Sequence, residues 1–151
     1  MYSVKKLIRD TIQQFGPDSI MAFIDMHGHS RKKNVFMYGP EFPIHDNRYL
    51  ETRVLPKLMS ENHEMFRFYS CRFRVTPDKE TTARVVLCNE YNITNCFTLE
   101  ASFHGFFNSE RITTDFMLNH YMQVGDILSM SFLEFVIMLE DDPKYTRNKM
   151  K

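Results

Sequence analysis

The chain predicts an α/β fold in which helices pack on both faces of one sheet. Three observations carry that prediction. Segments with helical spacing alternate with short strand-like runs in the order α-β-β-α-β-α-β-α, the pattern of a sheet covered by its connecting helices. The run Ile20-Met21-Ala22-Phe23-Ile24-Asp25-Met26 is nearly all apolar between turn residues, as expected of a central strand buried on both faces. The composition, 43% hydrophobic and 25% charged, is that of an ordinary globular chain. Its 151 residues suffice for one domain with a core of its own.

Each element has its own signal. Val4, Leu7, Ile8, Thr11, Ile12 and Phe15 recur at steps of three and four and predict a first helix, stopped by Gly16-Pro17. After the strand at 20–26, Val35-Phe36-Met37-Tyr38 is a second strand, closed by Gly39-Pro40. A helix over 47–62 is expected to bury Leu50, Val54, Leu58 and Met59, with a kink or break at Pro56. Residues 66–76 alternate apolar with Arg or Ser and read as a strand. Helical spacing returns over 82–91, and 97–103 is the next strand, with Glu100 inside an otherwise buried run. A loop over 105–114 leads into the longest helix, whose inward face is marked by Phe116, Tyr121, Val124, Leu128, Phe132, Phe135 and Met138. Residues 1–142 form the domain, and the basic tail 143–151 is expected to be disordered.

Charge and cysteine usage narrow the function classes. Nineteen Lys and Arg balance nineteen Asp and Glu, so the electrostatic footprint of a general nucleic-acid binder is missing. No continuous run of about 18 apolar residues occurs, so no membrane span is expected. The first residues lack the apolar stretch and cleavage site of a signal peptide. Cys71, Cys88 and Cys96 are odd in number and form no C-x-x-C pair, which fits free thiols in a reducing compartment. A soluble, cytoplasmic protein is the expectation.

Three places carry residues suited to chemistry. Asp25-Met26-His27-Gly28-His29-Ser30 ends the first strand, where α/β sheets place their sites. His27 and His29 are two apart, so an extended backbone points both rings to one side, with Asp25 there to hold an imidazole N–H. The pair is either metal-directed or a set of loop histidines satisfied by backbone. Glu100 is a carboxylate in a buried strand, costly unless paired or at a cleft. It is a general base beside an activated water, or a partner for an arginine. Arg84 opens an apolar helix and either grips a carboxylate bidentately in a pocket or makes a surface ion pair. Arg31-Lys32-Lys33 reads as a solvated turn, and His104 as a hydrogen-bonded loop histidine.

Taken together, two long stretches resemble the zinc metallocarboxypeptidases, specifically the cytosolic carboxypeptidase branch. Phe23-Ile24-Asp25-Met26-His27-Gly28-His29-Ser30-Arg31-Lys32-Lys33-Asn34-Val35-Phe36-Met37-Tyr38-Gly39 is similar to that family's second metal-ligand block. Lys79-Glu80-Thr81-Thr82-Ala83-Arg84-Val85-Val86, followed by Asn95-Cys96-Phe97-Thr98-Leu99-Glu100-Ala101-Ser102-Phe103, is similar to its catalytic block. The resemblance implies the C-terminal part of a catalytic domain, with a mixed, mostly parallel sheet and helices on both faces. It implies a zinc-dependent hydrolase that removes C-terminal residues, glutamate above all, from acidic tails such as those of tubulin. His27 would then be a zinc ligand, with His29 beside it. Glu100 would be the general acid/base and Arg84 would line the specificity pocket. Neither nucleic acid nor membrane is an expected partner.

The resemblance also implies what these residues lack. The family's H-x-x-E ligand pair and its Asn-Arg carboxylate clamp lie upstream of the ligand histidine. Only twenty-six residues precede His27 here, and they hold no histidine and no Asn-Arg. Catalytic zinc takes three protein ligands plus water, so one of three is visible. The expectation is a fragment, a truncated product or a degenerate paralogue, with the first part of the sheet missing and one sheet edge left unpaired. The competing class is a catalytically inactive module that binds an acidic tail or a partner chain.

Overall fold

The computed structural model describes residues 2–110 and 112–141. Four helices and five strands occur in the order α1 (Tyr2–Phe15), β1 (Ala22–His29), β2 (Val35–Tyr38), α2 (Arg48–Asn62), α3 (Ala83–Tyr91), β3 (Asn95–Ser102), β4 (Phe106–Phe107), β5 (Thr113–Thr114) and α4 (Leu118–Asp141). The main sheet has the order β1-β3-β2, with β1 parallel and β2 antiparallel to β3. The mixed α/β architecture is the expected one. The expected tail lies outside the described residues.

Strand alternation sorts the core into two layers. Phe97, Leu99 and Ala101 of β3 join Val35 and Met37 in a cluster with Leu55 and Met59 of α2 and Val124, Ile127 and Phe135 of α4. Cys96 belongs to a second cluster with Ile8 of α1, Leu87 and Cys88 of α3, and Ile93. Helices therefore cover both faces. Lys5 and Glu90 tie α1 to α3 at 2.6 Å, and Asn62 donates to Ser131 Oγ at 2.9 Å between α2 and α4. Gly16 ends α1 at φ 96°, the left-handed region open to glycine, and its N–H bonds the Ile12 carbonyl.

Several expectations change. Among the described residues the strand at 20–26 is not central: β1 is an edge, its residues only half-buried or exposed, and Met26 is 57% exposed. A two-sided apolar run marks a buried strand only when both neighbours are present, and β3 takes the middle position. Residues 66–76 are not a strand. A 3-10 turn at Phe68–Ser70 interrupts them, and only Phe66 and Arg72 bridge to β2. The alternation reflects the inward-facing Phe66, Cys71 and Phe73 of an irregular segment lying against β2. Helix α2 runs through Pro56 and buries Thr52, Leu55, Pro56 and Met59, while Leu50 is exposed. In α1 only Ile8 is buried and Leu7 and Phe15 face solvent; in α4 Met138 is exposed. The expected loop at 105–114 contains the β4–β5 hairpin.

The expectation about membrane spans also needs correcting. Helix α4 is long and apolar enough, by length and composition, to cross a membrane. Single polar residues interrupt its apolar runs without making it polar overall, which hid it from a search for an unbroken stretch. In this fold it packs along α2 and buries Val124, Ile127, Ser131 and Phe135.

Candidate active site

The parallel register aligns His27 with Glu100 as Cα partners, and His29 with Ser102. Because side chains alternate along a strand, Asp25, His27 and His29 of β1 and Thr98, Glu100 and Ser102 of β3 share one face. The antiparallel register adds Phe36 opposite Glu100 and Tyr38 opposite Thr98. The candidate residues, far apart in sequence, thus meet on the face opposite Leu99 and Ala101.

Two histidine–carboxylate contacts organise this face. His27 Nδ1 lies 3.2 Å from Asp25 Oδ1 on the open side of the sheet, with both side chains substantially exposed. His29 Nδ1 lies 3.6 Å from Glu100 Oε2, and here the side chains are only 19% and 13% exposed. The His29 ring stands edge-on to Phe36 at 5.1 Å, and its buried Nε2 has no hydrogen-bond partner. His104 behaves as a loop histidine, with Nε2 2.8 Å from the Ser30 carbonyl oxygen.

Arg84 enters from α3. It is 6% exposed, its Nε has no partner, and its guanidinium sits 5.5 Å from the centre of the Tyr38 ring. Burial lowers its pKa from the ordinary arginine value, while Tyr38 and Glu100 oppose that shift. Tyr38 is pushed up, first by burial and then by the Glu100 charge. Arg84 makes no surface ion pair among the described residues. It is a buried cation held by an aromatic face and by the field of Glu100. Sequence reasoning missed Tyr38. Its place between Arg84 and Glu100 depends on the β2–β3 register, for which the sequence carries no local signal.

The donor set bears on a metal. With Asp25 at Nδ1, the exposed His27 ring resembles a carboxylate-backed metal ligand. No group of three or more His, Cys, Asp or Glu side chains converges among the described residues. These residues fit one ligand and its support; by themselves they do not make a zinc site.

No protein-family model matches the chain. Cytosolic carboxypeptidase 2 of Danio rerio is 36% identical over 130 residues, covering 85% of this chain and 18% of that protein. Cytosolic carboxypeptidase 2 of Mus musculus is 32% identical over 151 residues, covering 97% of this chain and 16% of that protein. Cytosolic carboxypeptidase 3 of Mus musculus is 42% identical over 90 residues, 57% of this chain and 9% of that protein. Among solved structures, a metallo-carboxypeptidase from Burkholderia cenocepacia superposes with a TM-score of 0.65 at 19% identity, covering 87% of this chain and 34% of that one. The fold is thus a metallocarboxypeptidase fold in part. Within that class, the chain is a partial cytosolic carboxypeptidase domain. It spans less than a fifth of the length of these curated relatives.

Proposed function

We propose that the chain carries the acid/base and specificity half of a zinc carboxypeptidase site that removes C-terminal glutamate from acidic protein tails, tubulin's among them. The observation that carries this is the alignment of His27 with Glu100 on one sheet face, with Arg84 buried behind Tyr38 on the same side. The relatives are named cytosolic carboxypeptidases, which supports peptide hydrolysis and a cytoplasmic setting. Zinc, when bound at His27 with donors from outside these residues, supplies charge stabilisation at the scissile carbonyl. Glu100 takes a proton from the attacking water and returns it to the leaving amine. His29 borders the Glu100 carboxylate at 3.6 Å. Arg84, desolvated and with a free Nε–H, attracts the acidic side chain of the terminal residue. The second reading is a module that binds acidic tails without cleaving them, and the single visible ligand favours it.

Release of glutamate from a Glu-ended peptide, assayed with zinc present, tests the proposal. Glu100→Gln should abolish release and leave peptide binding intact. Arg84→Leu should weaken the Glu-ended peptide by roughly 10- to 150-fold, the worth of ~1.5–3 kcal/mol of charge-assisted bonding, and spare an apolar-ended one. Binding that requires Arg84, with no glutamate released by the unaltered protein, would decide for the binding module.

A further inference from the structure

A second feature lies beside this face and is not used by the proposed chemistry. Lys32, Lys33 and Arg67 line an open pocket of about 590 Å³, with Ser70, Asn108 and the Phe107 ring on its walls. That volume is within the range of ligand sites. The three cations are fixed in place by uncharged partners. Lys33 Nζ donates to Thr113 Oγ1 at 2.8 Å and lies 4.7 Å from the centre of the Phe107 ring. Arg67 Nη2 donates to the Phe107 carbonyl at 2.8 Å. Lys32 Nζ sits over Phe36 at 4.7 Å and Tyr38 at 5.6 Å.

Their charges are not neutralised. Lys5, Lys6, Arg48, Lys57 and Lys79 all pair with carboxylates, but among the described residues none of these three does. The Glu64 carboxylate stands at the pocket rim, accepting from the N–H of the lining residue Ser109 at 2.6 Å, and makes no ion pair with any of the three. Three held cations against one rim carboxylate leave a net positive potential in this concavity. The corner is rigid because Asn34, at φ 70°, buries its side chain and bonds the Met65 carbonyl and both backbone groups of Phe107.

We propose that this pocket is a binding subsite for the acidic side chains of a peptide, separate from the Glu100 site and continuous with it. The assignment rests on the acidic-tail reading above for its ligand class. Continuity comes from Tyr38, whose ring carries Arg84 at 5.5 Å and Lys32 at 5.6 Å. An extended acidic chain with its end at Arg84 passes Lys32 and reaches Lys33 and Arg67. A peptide suits the site better than nucleic acid, because the chain has zero net charge and the cations form one pocket, not a long track.

The test uses a fluorescent hexaglutamate with an amidated C-terminus and anisotropy as the readout. An amidated end takes the reaction out of the measurement, so the result is independent of whether Glu100 turns over substrate. Binding should weaken as salt rises, and Lys33→Gln and Arg67→Gln should each cost roughly tenfold. Lys32→Gln, whose Nζ rests on two rings and makes none of the corner's hydrogen bonds, should also weaken binding, and an unchanged urea midpoint in each variant separates lost binding from misfolding. Four results would overturn the subsite: equal binding of hexaglutamine, loss confined to Arg84→Leu, displacement by inorganic phosphate as effective as by free peptide, or displacement by oligouridylate at lower concentration.

Discussion

Along the outer edge of β2, Val35 and Met37 are shut in: the Val35 N–H bonds the Met65 carbonyl, Arg67 N–H bonds Val35, and Arg72 N–H bonds Met37. Along the outer edge of β1, no strand pairs among the described residues. His29 turns its carbonyl inward to the Phe103 N–H, so alternation turns the backbone groups of Ala22, Ile24, Met26 and Gly28 outward. One edge is closed by its own chain; the other is open and carries Asp25 and His27. The candidate site straddles the difference. Glu100, His29 and Arg84 sit on the closed side, where burial strengthens their mutual fields. His27 sits at the open edge, so any further donor to a metal there has to arrive across β1.

Truncating one side chain in the covered interior and one at the open edge should show the largest contrast. Phe97 is completely buried, and Phe97→Ala should cost about 3–5 kcal/mol in urea unfolding. Met26→Ala, at a position 57% exposed, should stay within about 0.5 kcal/mol. Similar losses at both would mean that something covers the β1 edge in solution.

A pH titration sharpens the same contrast with a smaller effect. Cys71 belongs to the segment that closes β2, its Sγ accepts the Met37 N–H at 3.2 Å, and burial pushes its thiol up to about 12. Burial raises Cys96 in the same direction. A folded-state value above the unfolded one means this stability is fully present below about pH 9 and is lost as pH rises toward 12, by roughly 1.4 kcal/mol per unit per thiol. The unfolding midpoint should therefore fall between pH 9 and 11, and less steeply in Cys71→Ala. An unchanged slope would mean that the β2 cover is already open at that pH.

What the sequence made legible follows the same division. The four apolar residues Val35–Tyr38 read as a strand and are one, because local pattern and cover agree. The i, i+2 spacing of Asp25, His27 and His29 correctly placed them on one face, since a strand's period is fixed by its backbone. The 20–26 run was misplaced at the centre because hydrophobicity reports what a strand can pack against, not which neighbour stands beside it. The meeting of Arg84, Tyr38 and Glu100 was invisible, because it depends on a register between segments about 60 residues apart in sequence. The cationic pocket was equally hidden: Lys32 and Lys33 looked like a solvated turn until Asn34 folded that turn against Arg67.

The smallest expected effect on stability comes with a clear effect on association. Met26 turns its N–H and C=O away from β3, and its side chain is exposed beside Phe103 and Tyr121. An open edge with an apolar residue at its centre is a template for strand pairing, which charged residues at edges suppress. The unaltered chain should therefore self-associate with rising concentration, as read by light scattering, and bind a hydrophobic dye. Met26→Lys should reduce both while moving the unfolding free energy by no more than about 0.5 kcal/mol, as for other exposed positions. Asp25 and His27 already place polar groups on the opposite face, so a lysine at Met26 would charge the one face of this edge that is still apolar. A chain that stays monomeric at every concentration with Met26 intact would show that Asp25 and His27 protect the edge by themselves.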